Sequence, residues 1–110
     1  MIVATLRVAR DGAWRAAALH GHAGAGVKGD DPVCAAVSLL ADATLFTLSR
    51  EYGIEPALTR GEGALALTLP DALDARQRAA AQTLLENLRN GLLLLADRYP
   101  EHITVTLEED

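Results

Sequence analysis

Apolar and polar residues alternate from Ile2 to Val8, the two-residue period of a strand with one buried face. Asp11-Gly12 follows, a pair of residue types that tolerate positive φ and so mark a hairpin turn. Trp14 to Leu19 then returns as a second strand, although its alanines give it weak strand character. Positions 20 to 31 break the alternation, hold four of the nine glycines and read as a mobile loop.

At Asp31-Pro32 the period changes. Aspartate is a favoured N-cap, and proline is best tolerated at the first helical position, where its missing N–H would be unpaired anyway. Apolar or small residues recur at Val33, Val37, Leu40, Thr44 and Leu48, a helical stripe that ends near Tyr52-Gly53. Ile54 to Arg60 and Ala64 to Leu69 form a second predicted hairpin around Gly61-Glu62-Gly63. Asp74-Ala75-Arg76-Gln77 has the spacing of a capping box. It opens a long second helix with a stripe at Ala81, Leu84, Leu85, Leu88, Leu92 and Leu95. Tyr99-Pro100 stops that helix, because the residue before a proline avoids helical torsions. Ile103, Val105 and Leu107 alternate as a last strand before an acidic tail.

The order ββαββαβ predicts one α+β domain over residues 1–110. It has two layers: a five-stranded, mostly antiparallel sheet with both helices on one face. The 110 residues suffice for one core and not two. Half of them are hydrophobic and only 4% aromatic, so the core must be aliphatic. The other sheet face or the apolar second helix is a surface on which a partner chain can pack. A formal charge of −5 and the absence of any Lys/Arg run argue against a nucleic-acid surface. Met1 to Arg10 has no uninterrupted apolar stretch of the signal-peptide kind, and the longest aliphatic block is Leu92 to Ala96. The expectation is a cytoplasmic protein with no membrane partner.

The single cysteine is the residue with the most chemistry. Cys34 lies twelve residues after His22, in Gly21-His22-Ala23-Gly24-Ala25-Gly26-Val27-Lys28-Gly29-Asp30-Asp31-Pro32-Val33-Cys34. With Asp31 as cap it is the third helical residue, where free backbone N–H groups favour a thiolate. Asp30 and Asp31 oppose that charge, and His22 can offset them by pairing with the thiolate or taking its proton. Asp31 can orient His22 or cap the helix, but hardly both in full. The Val33 and Cys34 N–H groups are candidates for holding an oxyanion, and Ser38 lies one turn further along the same helix face. The other reading is structural: Cys34 in Val33-Cys34-Ala35-Ala36-Val37 also suits a small core hydrophobe. A zinc site from His20, His22 and Cys34 lacks a fourth ligand. A redox sensor would lack a resolving cysteine in the same chain.

Gly21-His22-Ala23, Gly29, Asp31 and Val33-Cys34-Ala35-Ala36-Val37-Ser38 resemble the signature of the ribosomal-processing cysteine proteases, the Prp family. The resemblance implies a cytoplasmic homodimeric endopeptidase without cofactor or metal. It would remove the N-terminal extension of large-subunit ribosomal protein L twenty-seven during ribosome assembly. Carried onto this sequence, Cys34 is the nucleophile and His22 the general base. Asp31 and Ser38 take supporting roles, and Gly21, Gly24, Gly26 and Gly29 form a loop that closes over an extended peptide. Many members carry an aromatic residue near Ala25 and an aliphatic one at Pro32, so the departures here bear on the substrate more than on the reaction. The alternative is a catalytically silent, dimeric ribosome-associated binding module of the same fold. Fast alkylation of Cys34 that depends on His22 separates the two.

Overall fold

The structure, a computed structural model, describes residues 1–27 and 29–110. Its elements follow the expected order: β1 (Ile2–Val8), β2 (Trp14–Gly21), α1 (Pro32–Tyr52), β3 (Ala57–Gly61), β4 (Ala64–Thr68), α2 (Ala75–Arg98) and β5 (Ile103–Glu109). The sheet order is β3-β4-β2-β1-β5. Three pairings are antiparallel, and β5 runs parallel to β1 with Ile2 opposite Ile103. The sheet is therefore mixed, and α2 is the crossover that makes its parallel pair possible.

Three boundaries differ from the sequence reading by two residues or more. Strand β2 runs on through His20 to Gly21, because Ile2 and Val3 of β1 supply partners that far along. Strand β3 begins at Ala57, since Ile54 turns into the core directly after the α1 cap. The acidic C-terminus is strand as far as Glu109 and is tied down by Asp110, which lies 3.8 Å from Arg7 and 3.9 Å from Arg15. The predicted loop shrinks to residues 22–31, of which residue 28 lies outside the described set.

One sheet face carries the core. Ile2, Ala4, Leu6 and Val8 of β1 share it with Ala17, Leu19, Leu67 and Ile103, all buried. Val33, Val37, Ala41, Thr44 and Leu48 of α1 and Ala81, Leu85, Leu88 and Leu92 of α2 close over it. Truncating one such fully buried leucine to alanine costs roughly 2–5 kcal/mol, because the cavity left behind only partly collapses. Gly91 lets the two helices approach: a Cβ there would lie 2.9 Å from the Leu40 side chain. By length and composition the 21-residue α1, with an 18-residue stretch of mean hydropathy 1.6, is apolar enough to cross a membrane. Its buried stripe gives that composition a second cause, the packing of a core helix.

Candidate active site

The site forms where β2 gives way to α1. Asp31 has extended torsions and caps the helix; Pro32 is N1, Val33 N2 and Cys34 N3, as the sequence predicts. The core stripe of α1 starts at N2, with Val33. Cys34 is turned about 100° from Val33 around the helix and is half-buried, packed against the edge of the core.

Asp31 uses both carboxylate oxygens on the backbone. Oδ1 accepts the N–H groups of Val33 and Cys34 at 2.9 and 3.0 Å, and Oδ2 accepts that of Ala25 at 2.9 Å. The Cys34 N–H, opposed by desolvation and aided by the N–H groups of Ala25, Val33 and Gly26, holds the Asp31 carboxyl below the ordinary aspartate range. Two sequence-based expectations change. The Val33 and Cys34 N–H groups are not open for an oxyanion, since the cap takes them. Asp31 acts as cap and loop tie, and among the described residues it makes no hydrogen bond to His22.

His22 follows the last residue of β2. Gly21 has φ +99°, and a Cβ there would collide with the Met1 carbonyl oxygen, so the strand turns out of the sheet at a residue that must be glycine. Its N–H donates to Gly63 O at 2.8 Å, which joins the β3–β4 turn to the site. The His22 imidazole lies over Gly63: a Cβ at that glycine would stand 2.9 Å from both Cε1 and Nε2. Next in sequence, Ala23 is buried, and its N–H donates to Cys34 Sγ at 3.4 Å.

Cys34 borders two cavities. One, of about 570 Å³, is lined by His22, Gly24, Gly26, Gly29, Asp31 and Pro32 as well as Cys34. The other, of about 280 Å³, runs between α1 and the β3–β4 hairpin. Its lining includes the apolar side chains of Ile2, Leu19, Val37, Ala41 and Leu65. Ser38, exposed and one turn beyond Cys34, lines this second cavity, as does Gly21. The glycines proposed for one substrate loop thus divide between two cavities, and Gly21 belongs to a strand.

His20 lines the smaller cavity but not the larger one that His22 and Cys34 share. It pairs with Val3 and Ala64 on the opposite face of β2 from the core residue Leu19. Among the described residues no three His, Cys, Asp or Glu side chains gather as metal ligands.

Two contributions escaped the sequence reading. Arg60 of β3 and Asp42 of α1 meet at 3.0 Å across the smaller cavity. His102 Nδ1 lies 2.8 Å from Ala23 O. The local pattern signals neither, because the partners stand 18 and 79 residues apart.

The sequence profile of the cysteine protease Prp family matches residues 1–104. The ribosomal processing cysteine protease Prp of Bacillus subtilis (strain 168) is 32% identical over 108 residues, 96% of each chain. Among solved structures, the essential ribosomal processing protease Prp from Staphylococcus aureus, in complex with a covalently linked product peptide, has a TM-score of 0.88. It is 22% identical and covers 98% of this chain and 100% of that one, a likeness of fold. SMU.848 from Streptococcus mutans has a TM-score of 0.84 at 29% identity, over 100% of this chain and 96% of the other. With a profile match that spans the site and both helices, and a relative aligned over nearly its whole length, the chain belongs to the cysteine protease Prp family and is a hydrolase.

Proposed function

We propose that the protein is an endopeptidase that removes the N-terminal extension of ribosomal protein L twenty-seven during ribosome assembly, with Cys34 as nucleophile and His22 as general base. The observation that carries this reading is the meeting of His22 and Cys34 on one cavity, with a backbone N–H on the sulfur. The Bacillus subtilis relative is named for ribosomal processing, and the Staphylococcus aureus protease has been solved with a product and with a substrate peptide. An extended peptide lying across Cys34 reaches both cavities. The smaller, apolar one suits the side chains next to the cut, and the larger, glycine-lined one suits the chain on the other side.

In this mechanism His22 takes the Cys34 proton as the sulfur attacks the scissile carbonyl carbon. The C–N bond then breaks, the imidazolium returns that proton to the leaving amine, and a thioester remains on Cys34. Water, deprotonated by His22, attacks the thioester; the new carboxyl end leaves and the thiol takes back a proton. Asp31 serves by fixing the loop and the helix start, and Ser38 by lining the wall beside the sulfur.

The reading includes a cytoplasmic homodimer. Leu39 and Phe46 of α1 and Leu94 of α2 are exposed on the outer side of the helical layer and give apolar area for a second copy. Light scattering on the purified protein measures that state directly.

The test of the reaction is incubation with a peptide spanning the junction of the source organism's L twenty-seven extension, followed by mass spectrometry. One cut is expected, absent with Cys34→Ala. Cutting by the Cys34→Ala protein, or an intact junction peptide with the native protein, overturns the reading.

A further inference from the structure

Ala23 is 2% exposed, though it lies in irregular chain between β2 and α1. Both of its backbone groups are engaged. The N–H donates to Cys34 Sγ at 3.4 Å, and the C=O lies 2.8 Å from His102 Nδ1. A carbonyl oxygen only accepts, so Nδ1 carries the proton of this bond whatever the state of Nε2.

His102 arrives from the far end of the sequence. It closes the turn after α2, donating its own N–H to Tyr99 O at 2.9 Å. Its carbonyl accepts the Ile2 N–H at 2.8 Å, the first rung of the parallel β1–β5 pairing. The imidazole is thus mounted on the rigid end of the sheet, borders neither cavity, and touches the one residue that separates His22 from the glycine-rich loop. With trans peptides on either side, a residue has only two soft torsions. Holding its carbonyl therefore limits where its N–H points and where the preceding side chain stands.

We propose that His102 is a positioning residue for the Cys34–His22 pair. Its Nδ1–H holds Ala23 so that the Ala23 N–H stays on the sulfur and His22 keeps its place in the cavity. The proposal rests on the cysteine-nucleophile reading above and adds a residue that acts on the pair through the backbone of Ala23.

The test compares His102→Leu, which fills space without a donor, with His102→Asn, whose amide N–H can reach the same carbonyl. In the junction-peptide assay, His102→Leu should lower kcat by about 10- to 100-fold with KM changed less than about twofold, the size expected of misplaced reacting groups. His102→Asn should recover most of that loss. Alkylation of Cys34 by iodoacetamide at fixed pH needs no peptide and should follow the same order. Native kcat in His102→Leu, no advantage of Asn over Leu, or a loss confined to KM overturns the proposal. If the variants fold poorly, amide exchange decides: in whichever variant keeps native protection at Leu85, Ala23 should exchange faster without the donor, and unchanged exchange overturns the proposal. Cys34→Ala in the same assay separates the failures. If it is inactive while His102→Leu is fully active, only the positioning role is lost; if it cleaves, the nucleophile assignment fails first.

Discussion

The two helices begin alike and end up doing different work. Each has an aspartate cap, Asp31 for α1 and Asp74 for α2, and each cap accepts the N3 backbone N–H. At α2 the N3 residue is Gln77, which closes a capping box by accepting the Asp74 N–H at 3.0 Å and reaches Tyr52 O at 3.0 Å with its amide. At α1 the N3 residue is Cys34, which cannot close the box. Its sulfur instead accepts the N–H of Ala23, just past the end of β2, and the spare oxygen of Asp31 takes Ala25 of the loop. One start is sealed on itself, while the other is left open toward a cavity and braced from outside. At α1 the reciprocal partner of the cap has thus been replaced by the thiol that the proposed mechanism uses as nucleophile.

Exchange at the two N3 positions should give the widest contrast. Cys34→Ala should abolish cleavage, a loss of roughly 10⁴-fold or more in kcat, with little change in thermal stability. Gln77→Ala should do the reverse, lowering stability by about 1 kcal/mol through lost hydrogen bonds and leaving kcat within twofold. Equal activity losses at both would mean that the open start has no chemistry of its own.

Next come the supports of His22. His22→Ala should cost 10²- to 10⁴-fold, the range for a general base. Gly63→Ala reaches the same imidazole from the hairpin, because its φ is +64° and its Cβ would press on the ring. It should lose about 1–2 kcal/mol of stability to backbone strain and a large part of the activity as well. A fully active Gly63→Ala protein would show that His22 can work from a different position.

Asp31 can be split into its two tasks. Asp31→Asn keeps an oxygen for Val33 and Cys34 but turns an amide N–H toward the Ala25 N–H, so the cap survives and the loop tie is lost. Activity should fall by up to about 10²-fold while helix content stays. The pH dependence has a definite sign. Because the folded-state carboxyl titrates below the ordinary aspartate range, its contribution is fully present above that range. It is lost as pH falls through the lower folded value. Thermal midpoints of native and Asp31→Asn protein should therefore differ most near neutrality and converge in acid. A constant gap would remove the carboxylate from the account.

Much of this was legible from local rules. Asp31-Pro32 marked the helix start within one residue, and Asp74…Gln77 marked the second cap, because capping depends on neighbours within a turn. The strand ends were less legible: Gly21 and Glu109 are in strands because β1 pairs with them or beside them, and pairing is set across the sheet. The same reason hid His102 and the Arg60–Asp42 bridge. Cys34 and His22 could be singled out by residue type and spacing. The commitment of the Val33 and Cys34 N–H groups to Asp31 follows from the cap itself; what local rules could not show is that the second carboxylate oxygen goes to Ala25.

The smallest expected effect concerns the turn after N3. In α2 the residue four beyond Gln77 is Ala81, buried in the core; in α1 the residue four beyond Cys34 is Ser38, exposed on the cavity wall. The core stripes explain the difference. That of α1 starts at N2 with Val33, whereas the buried residues of α2 fall in register with N3, so the equivalent face of α1 is turned out of the core by one residue. Ser38→Ala should then change stability by less than about 0.5 kcal/mol, as at an exposed position. It should lower activity by at most about tenfold, the worth of one neutral hydrogen bond to the peptide or the site. Ala81→Ser, placing a hydroxyl in the core, should destabilise by about 1–3 kcal/mol without touching kcat. If Ser38→Ala instead destabilised the fold as much as Ala81→Ser, the N3 face of α1 would be core after all, and the open helix start would lose its wall.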